Sequence, residues 1–230
     1  MKAMVLAAGQ GRRMLPLTET VPKPLLEVAG CPLIEWQIQS LARAGVRDLV
    51  VNLHYLGEAI QARLGNGEHL GVSIEYSTED VLLETAGGIN QALPLLGEAP
   101  FIICNGDVWT DFDYQKLASL SLPDGQLAHL VLVPNAKHHP GGDFWLDQEG
   151  MLSSVRPNEV ENTCLGKYTY AGIALLSPAL FAGLPSGPQP LAPLLRQAMD
   201  AGCVSGQLFQ GQWVDVGTPE RLAQLNRQQT

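Results

Sequence analysis

Leu6-Ala7-Ala8-Gly9-Gln10-Gly11-Arg12-Arg13-Met14-Leu15-Pro16-Leu17-Thr18, followed by Pro22-Lys23-Pro24-Leu25, decides how the rest of this chain is read. It continues an apolar run at residues 4–8 that reads as a buried strand. Gly9 and Gly11 carry no Cβ, so backbone N–H groups there can approach an anion closely. Arg12, Arg13 and Lys23 add fixed positive charge to a chain that is otherwise acidic. Strand, glycine turn and nearby cations together make a triphosphate-binding apparatus. Two common versions of it are excluded. A dinucleotide fingerprint needs a third glycine at position 14, which is Met, and a helix that Pro16, Pro22 and Pro24 forbid. A P-loop needs Gly-Lys-Ser/Thr where this chain has Met14-Leu15.

The composition narrows the ligand. The chain has 230 residues with a net charge of −9, from 23 acidic and 14 basic side chains. That balance argues against general nucleic-acid or membrane-surface binding. Locally clustered cations in an acidic protein suit a small phosphorylated ligand held beside a divalent metal. No stretch approaches the ~18 apolar residues of a membrane span, and the apolar run at the start is too short for a signal peptide. Cys31, Cys104, Cys164 and Cys203 form no CxxC pair and read as free thiols in a reducing cytoplasm. The histidines lack metal-ligand spacing, and His138-His139 read as loop residues.

Short β-rich runs alternate with helical patterns, predicting an α/β protein with crossover helices. Strands are expected at residues 3–8, 48–54, 72–76 and 101–105. Helices are expected between them at 32–44, 56–64 and 85–96, the last weakened by Gly87, Gly88 and Pro94. After Asp111 strands dominate, at 127–133, 144–147, 151–155 and 169–176, and should extend the sheet. A helix at 191–201, a strand at 207–209 and a last helix complete the pattern. That helix begins on Thr218 as N-cap, Pro219 and Glu220. Residues 183–193 read as a loop, and 1–230 as one catalytic domain.

Two aspartates stand out. Asn105-Gly106-Asp107 follows the run Phe101-Ile102-Ile103-Cys104, at the strand end where open α/β sheets bind ligands. A carboxylate there is a natural Mg²⁺ ligand, although Asn-Gly-Asp is also an ordinary turn. Asp215 lies between two valines in Trp213-Val214-Asp215-Val216-Gly217-Thr218-Pro219-Glu220. Burying it unpaired would be costly, and a cation shared with Asp107 would resolve that.

The N-terminal run resembles the nucleotide-binding arm of sugar-1-phosphate nucleotidyltransferases, Leu-Ala-Ala-Gly-x-Gly-x-Arg-Met-x-Pro-Leu-Thr and then Pro-Lys-Pro. Trp-x-Asp-x-Gly-Thr-Pro-Glu is also carried by that family. The resemblance spans nearly the whole chain and implies a Rossmann-like three-layer fold with a mixed, mainly parallel sheet. It implies UTP and a sugar 1-phosphate as substrates and Mg²⁺ on Asp107 and Asp215, with Mn²⁺ as an alternative. Gly9, Gly11, Arg12, Arg13, Lys23 and Asn105 would then hold the nucleotide, with Arg13, Lys23 and Asp107 at the reacting phosphates. Glu84 and Gly88 would lie near the base, where the family more often has Gly in place of Glu84. Gly142, with its neighbour Asp143, falls where the family presents backbone to the sugar, and Tyr170 falls on a second sugar-facing strand. Val155-Arg156-Pro157 stands where relatives carry Glu-Lys-Pro, so Arg156 takes the lysine's place. Members differ in base and sugar, including glucose uridylyl or thymidylyl transfer and mannose guanylyl transfer. A non-catalytic sensor would keep the fold and need none of these aspartates. Oligomeric state is left open.

Overall fold

Successive residues of the central strands go to opposite cores. Ala3 and Val5 pack on one side and Met4 on the other; Leu49 and Val51 oppose Val50; Ile102 and Cys104 oppose Phe101 and Ile103. A strand with two apolar faces must lie between two helical layers. The computed structural model, which describes residues 1–156 and 164–229, has that arrangement.

The chain runs β1 (Lys2–Leu6), β2 (Glu27–Val28), β3 (Cys31–Pro32), α1 (Leu33–Arg43), β4 (Asp48–Leu53), α2 (Gly57–Leu64), β5 (Ser73–Thr78), α3 (Glu84–Leu96), β6 (Phe101–Asn105), β7 (Val108–Thr110) and α4 (Gln115–Ala118). It continues through β8 (Ala128–Val133), β9 (Phe144–Asp147), β10 (Leu152–Ser153), β11 (Cys164–Leu176), α5 (Leu191–Asp200), β12 (Val204–Leu208), β13 (Trp213–Asp215) and α6 (Pro219–Gln229). One layer contains α1 and α2, through Ile34, Ile38, Leu41, Ile60 and Leu64. The other contains α3 and α5, through Ile89, Ala92, Leu195 and Ala198.

The main sheet has two halves. In one, β6, β1, β4 and β5 pair in parallel, as helical crossovers require. In the other, β11 runs antiparallel to β6 and continues past it to pair with β8 and β9. β12 adds in parallel to β8 and β10 closes the far edge on β9. The sheet is thus mixed and the fold three-layered, as the resemblance implies. The helix expected at 191–201 begins at Leu191, so the preceding loop ends at Pro190 and Pro193 lies within the first turn, where its missing N–H costs nothing. The strand expected at 207–209 begins earlier, at Val204, and pairs along β8.

A third, smaller cluster ties the ends of the chain together. Met14, Leu26, Val28, Leu33, Trp109, Val216 and Leu225 form it. The Asn226 side chain accepts from the Ala29 N–H at 2.8 Å and donates to the Glu27 carbonyl at 3.0 Å. The final helix is thereby pinned to the β2–β3 hairpin.

Candidate active site

One cavity, about 360 Å³, opens across the C-terminal ends of β6, β1 and β4. Its walls include Ala7, Gly9, Gly11, Arg12, Arg13, Lys23, Asn52, Glu79, Glu84, Asn105 and Asp107. Ligands bind at such strand ends because the loops leaving neighbouring strands part there.

The arm forms one wall, and its prolines limit it to short 3₁₀ turns at Arg12–Met14, Leu17–Glu19 and Lys23–Leu25. Gly11 has φ 61°, and a Cβ on it would stand 3.0 Å from Thr18 Cγ2 and 3.1 Å from Lys23 Cβ. Only glycine meets both conditions. The arm is locked on itself: the buried Thr18 hydroxyl donates to the Gly11 carbonyl at 2.9 Å, and Tyr55 Oη donates to the Thr18 carbonyl at 2.8 Å.

At the β6 side, charges converge. Lys23 is 7% exposed, and its Nζ lies 2.6 Å from Asp107 Oδ2 and 3.6 Å from Asp215 Oδ1. A buried ammonium needs such partners. β13 pairs with β7 so that Asp215 stands opposite Val108, directly after Asp107, which brings the two distant motifs together. Asp215 is partly exposed and engages further cations: Arg221 Nη1 bonds both its Oδ2 and its carbonyl at 3.2 Å, and Arg13 Nη2 is 4.0 Å from Oδ2. The burial cost anticipated for Asp215 is therefore met by Lys23, Arg221 and Arg13 around it. Arg221 carries no motif signal except its place three residues after Thr218.

This pair of carboxylates suits a hard divalent ion. Both face a single cationic centre, supplied here by the chain's own amine, and both are oxygen donors. Among the described residues no cluster of three or more His, Cys, Asp or Glu could cage a metal. Mg²⁺ commonly takes only one or two carboxylates and completes its shell with phosphates and water.

The β4–β5 side is built differently. Asn52 Oδ1 accepts from the Ala7 N–H at 2.8 Å, and its Nδ2 donates to Glu79 Oε1 at 2.7 Å. Glu79, 2% exposed, also accepts from the Leu83 N–H at 2.9 Å. Gly88 is buried behind this network; a Cβ on it would stand 2.5 Å from Glu79 Oε1. The start of α3 has no side-chain cap. Instead the Gln189 carbonyl accepts from Ala86 and Gly87 at 2.9 and 3.1 Å. Glu84 opens the helix with φ 59°. A left-handed conformation costs a non-glycine residue about 1–2 kcal/mol. An acidic residue at an exposed helix N-terminus recovers only about 0.3–1 kcal/mol, so helix initiation alone does not account for it.

Asn105 is held by an absence. Gly172, with φ 73°, lies in a β11 irregularity between Tyr170 and Ala174, and a Cβ there would collide with the Asn105 side-chain amide.

Of the residues expected on the sugar side, Gly142 and Asp143 lie on the loop between β8 and β9, Tyr170 on β11 and Arg156 after β10; none of them lines the cavity. Asp143 Oδ1 pairs with His139 Nε2 at 3.0 Å and its Oδ2 accepts from the Tyr170 N–H at 2.8 Å. Tyr170 thus offers its backbone to this loop; its hydroxyl is buried without a hydrogen-bond partner among the described residues, and burial raises its pKa. Gly142 has φ 57°, and a Cβ on it would meet Asn135 Oδ1 at 2.7 Å. His138, on the same loop, binds its proton less well than usual, through desolvation first and the Arg221 guanidinium second, with Asp215 opposing. Arg156 lies 5.8 Å above the Trp145 ring. Pro157 lies outside the described residues. The four cysteines are unpaired, and burial pushes the Cys104 thiol up to about 12. No described helix is long and apolar enough to cross a membrane.

Comparison with known proteins bears on what this arrangement does. The family profile described as nucleotidyl transferase matches residues 2–230. N-acetylmuramate alpha-1-phosphate uridylyltransferase of Neisseria meningitidis is 50% identical, covering 96% of this chain and 95% of that protein. The protein of the same name from Caulobacter vibrioides is 36% identical over 95% of this chain and 92% of its own length. A mannose-1-phosphate guanyltransferase of Aspergillus fumigatus is 32% identical and extends further, 62% of it being covered. Among solved structures, a putative glucose-1-phosphate thymidylyltransferase of Bacillus anthracis superposes with a TM-score of 0.82 over 99% of this chain and 94% of the other, at 21% identity. That last likeness speaks to the fold.

Proposed function

The chain belongs to the nucleotidyl transferase family, and on that premise we propose that it transfers a uridylyl group from UTP to N-acetylmuramate α-1-phosphate. The products are UDP-N-acetylmuramate and pyrophosphate, in the recycling of cell-wall sugars in the cytoplasm. Residues 1–230 act as one catalytic domain. The half-identical Neisseria relative supports the choice of base and sugar. The geometric support is Lys23, buried and shared by Asp107 and Asp215 at one end of a glycine-walled cavity.

The chemistry needs few groups. A sugar phosphate is largely ionised near pH 7 and attacks the α-phosphorus without a general base. The work is to bring two polyanions together and to stabilise departing pyrophosphate. Gly9 and Gly11 bring backbone N–H groups to the triphosphate, and Arg12, Arg13 and Lys23 neutralise it. Asn105, braced by Gly172, lines the nucleotide's path. Asp107 and Asp215 would hold Mg²⁺ or Mn²⁺, which when bound supplies charge neutralisation at the phosphates. Gly142 and Asp143 place the sugar, with the backbone of Tyr170 ordering their loop, and Arg156 would serve as a phosphate partner.

Pyrophosphate release with UTP and Mg²⁺ tests this against the 1-phosphates of N-acetylmuramate, N-acetylglucosamine and glucose. Preference for the first is expected. Preference for glucose would keep the reaction class and overturn the sugar. Silence with all three, and with the other nucleoside triphosphates, would overturn the enzyme.

A further inference from the structure

We propose that the Glu84 carboxylate selects the nucleobase by accepting a hydrogen bond from a ring N–H. The cavity then admits uracil, thymine and guanine and disfavours cytosine and adenine. This rests on the nucleotide-binding reading of the same cavity and goes beyond it by naming the reader and its rule.

The two ends of the cavity differ in charge. Lys23 and Asp107 meet at the β6 side, while Asn52, Glu79 and Glu84 belong to the β4–β5 side. β1 lies between, and neighbouring strands are about 4.8 Å apart. Phosphates go to the cationic end. An anionic wall at the opposite end repels them and is left for the base.

Glu84 is the side chain at that end with nothing else to do. It is exposed, lines the cavity, and has no hydrogen-bond or ion-pair partner among the described residues. Its neighbour Glu79 is 2% exposed and both its oxygens already accept hydrogen bonds, Oε1 from Asn52 and Oε2 from Leu83. Among the described residues, three that are not glycine have left-handed φ: Ala29, Leu56 and Glu84. Ala29 shares a two-residue hairpin turn with Gly30, which demands that conformation. Of the three, only Glu84 lines the cavity. Strain retained at a ligand-facing residue points to a role for its side chain.

The rule follows from the inventory of donors. An ionised carboxylate only accepts. Uracil and thymine present N3–H, and guanine presents N1–H beside its amine. Cytosine N3 and adenine N1 present lone pairs, which a carboxylate repels.

Calorimetric titration of the whole chain with UTP, GTP, CTP and ATP, with Mg²⁺ and no sugar phosphate, reads this without turnover. Wild type is expected to bind UTP about tenfold more tightly than CTP. Glu84→Gln keeps the left-handed backbone but can donate as well as accept, so it should erase most of that ratio. Glu84→Gly suits the backbone and removes the reader, so it should also erase the ratio while melting no lower than wild type. An unchanged ratio in both variants overturns the proposal, as does a wild type that binds UTP and CTP equally. Binding of no nucleotide would fail the cavity reading and this inference with it. Turnover with GTP alone would fail the uridylyl reading and leave the Glu84 rule standing.

Discussion

The parallel half of the sheet and the antiparallel half are built for different tolerances. In the parallel half, β1, β4 and β6 end together, and the groups beyond them are fixed by short links: Ala7 to Asn52, Asn52 to Glu79, Lys23 to Asp107. The first two are direct bonds between neighbouring strand ends, so an error of one residue in register would break them. In the antiparallel half, the loop between β8 and β9 is ordered by Asp143, which grips His139 on its own loop and the Tyr170 N–H on β11. Such a loop can change in length or content while the sheet beneath stays intact. A rigid nucleotide half and an adjustable sugar half would let one scaffold serve many sugars.

Substitutions can break that contrast or sharpen it. The largest effect is expected from Asp107→Asn, which should keep the fold by circular dichroism while pyrophosphate release falls about 10²–10³-fold. Undiminished activity at saturating Mg²⁺ would remove Asp107 from the metal site. Next, Lys23→Ala leaves Asp107 and Asp215 facing each other without their shared amine. Because those carboxylates are 32% and 25% exposed, the loss should be about 1–2 kcal/mol, below the full cost of breaking a buried pair. Added Mg²⁺ should raise the melting temperature of this variant more than that of wild type. An equal rise in both would argue against a cation held by the two carboxylates.

A matched pair then compares the halves directly. Gly172→Ala drives a Cβ into Asn105 and should cost about 1–3 kcal/mol, raising KM for UTP. Gly142→Ala crowds Asn135 and should raise KM for the sugar phosphate about tenfold, leaving KM for UTP unchanged. If both variants shift both constants alike, the halves are not separable. The smallest effect belongs to the start of α6. Thr218→Ala should cost about 1 kcal/mol, because Thr218 Oγ1 accepts from the Arg221 N–H at 3.4 Å. Glu220's own backbone N–H first, and then the Thr218 hydroxyl, hold its carboxyl below the ordinary value. That contribution is present above the unfolded carboxylate range and is lost as pH falls through the folded value. The alanine variant should therefore lose less stability on acidification, which pH-dependent melting would check.

What was legible in the sequence follows the same division. The arm, Asp107 and Asp215 are flanked by local pattern, with glycines, prolines and an apolar strand close by, so their placement could be read residue by residue. Asn52 and Glu79 could not, because their meeting depends on β4 and β5 being neighbours. A signal was available in the polar Asn52 at the end of Val50-Val51, where parallel strands deliver ligand contacts. Gly172 is invisible for another reason: its effect is to leave room for a side chain from a different strand. The sugar side was readable only by resemblance, since loop residues carry little periodicity. Capping of α3 by the Gln189 carbonyl is likewise a long-range choice.

The cluster joining Met14, Trp109, Val216 and Leu225 has a consequence for how the protein comes into being. Asn226 reaches back to Glu27 and Ala29, 199 and 197 residues earlier in the chain. The arm leaves the ribosome well before Asp215, and the wall that Lys23 shares with Asp215 is finished only when α6 has emerged. A partly synthesised chain therefore carries the glycine turn without its second carboxylate, and competence arrives in one late step.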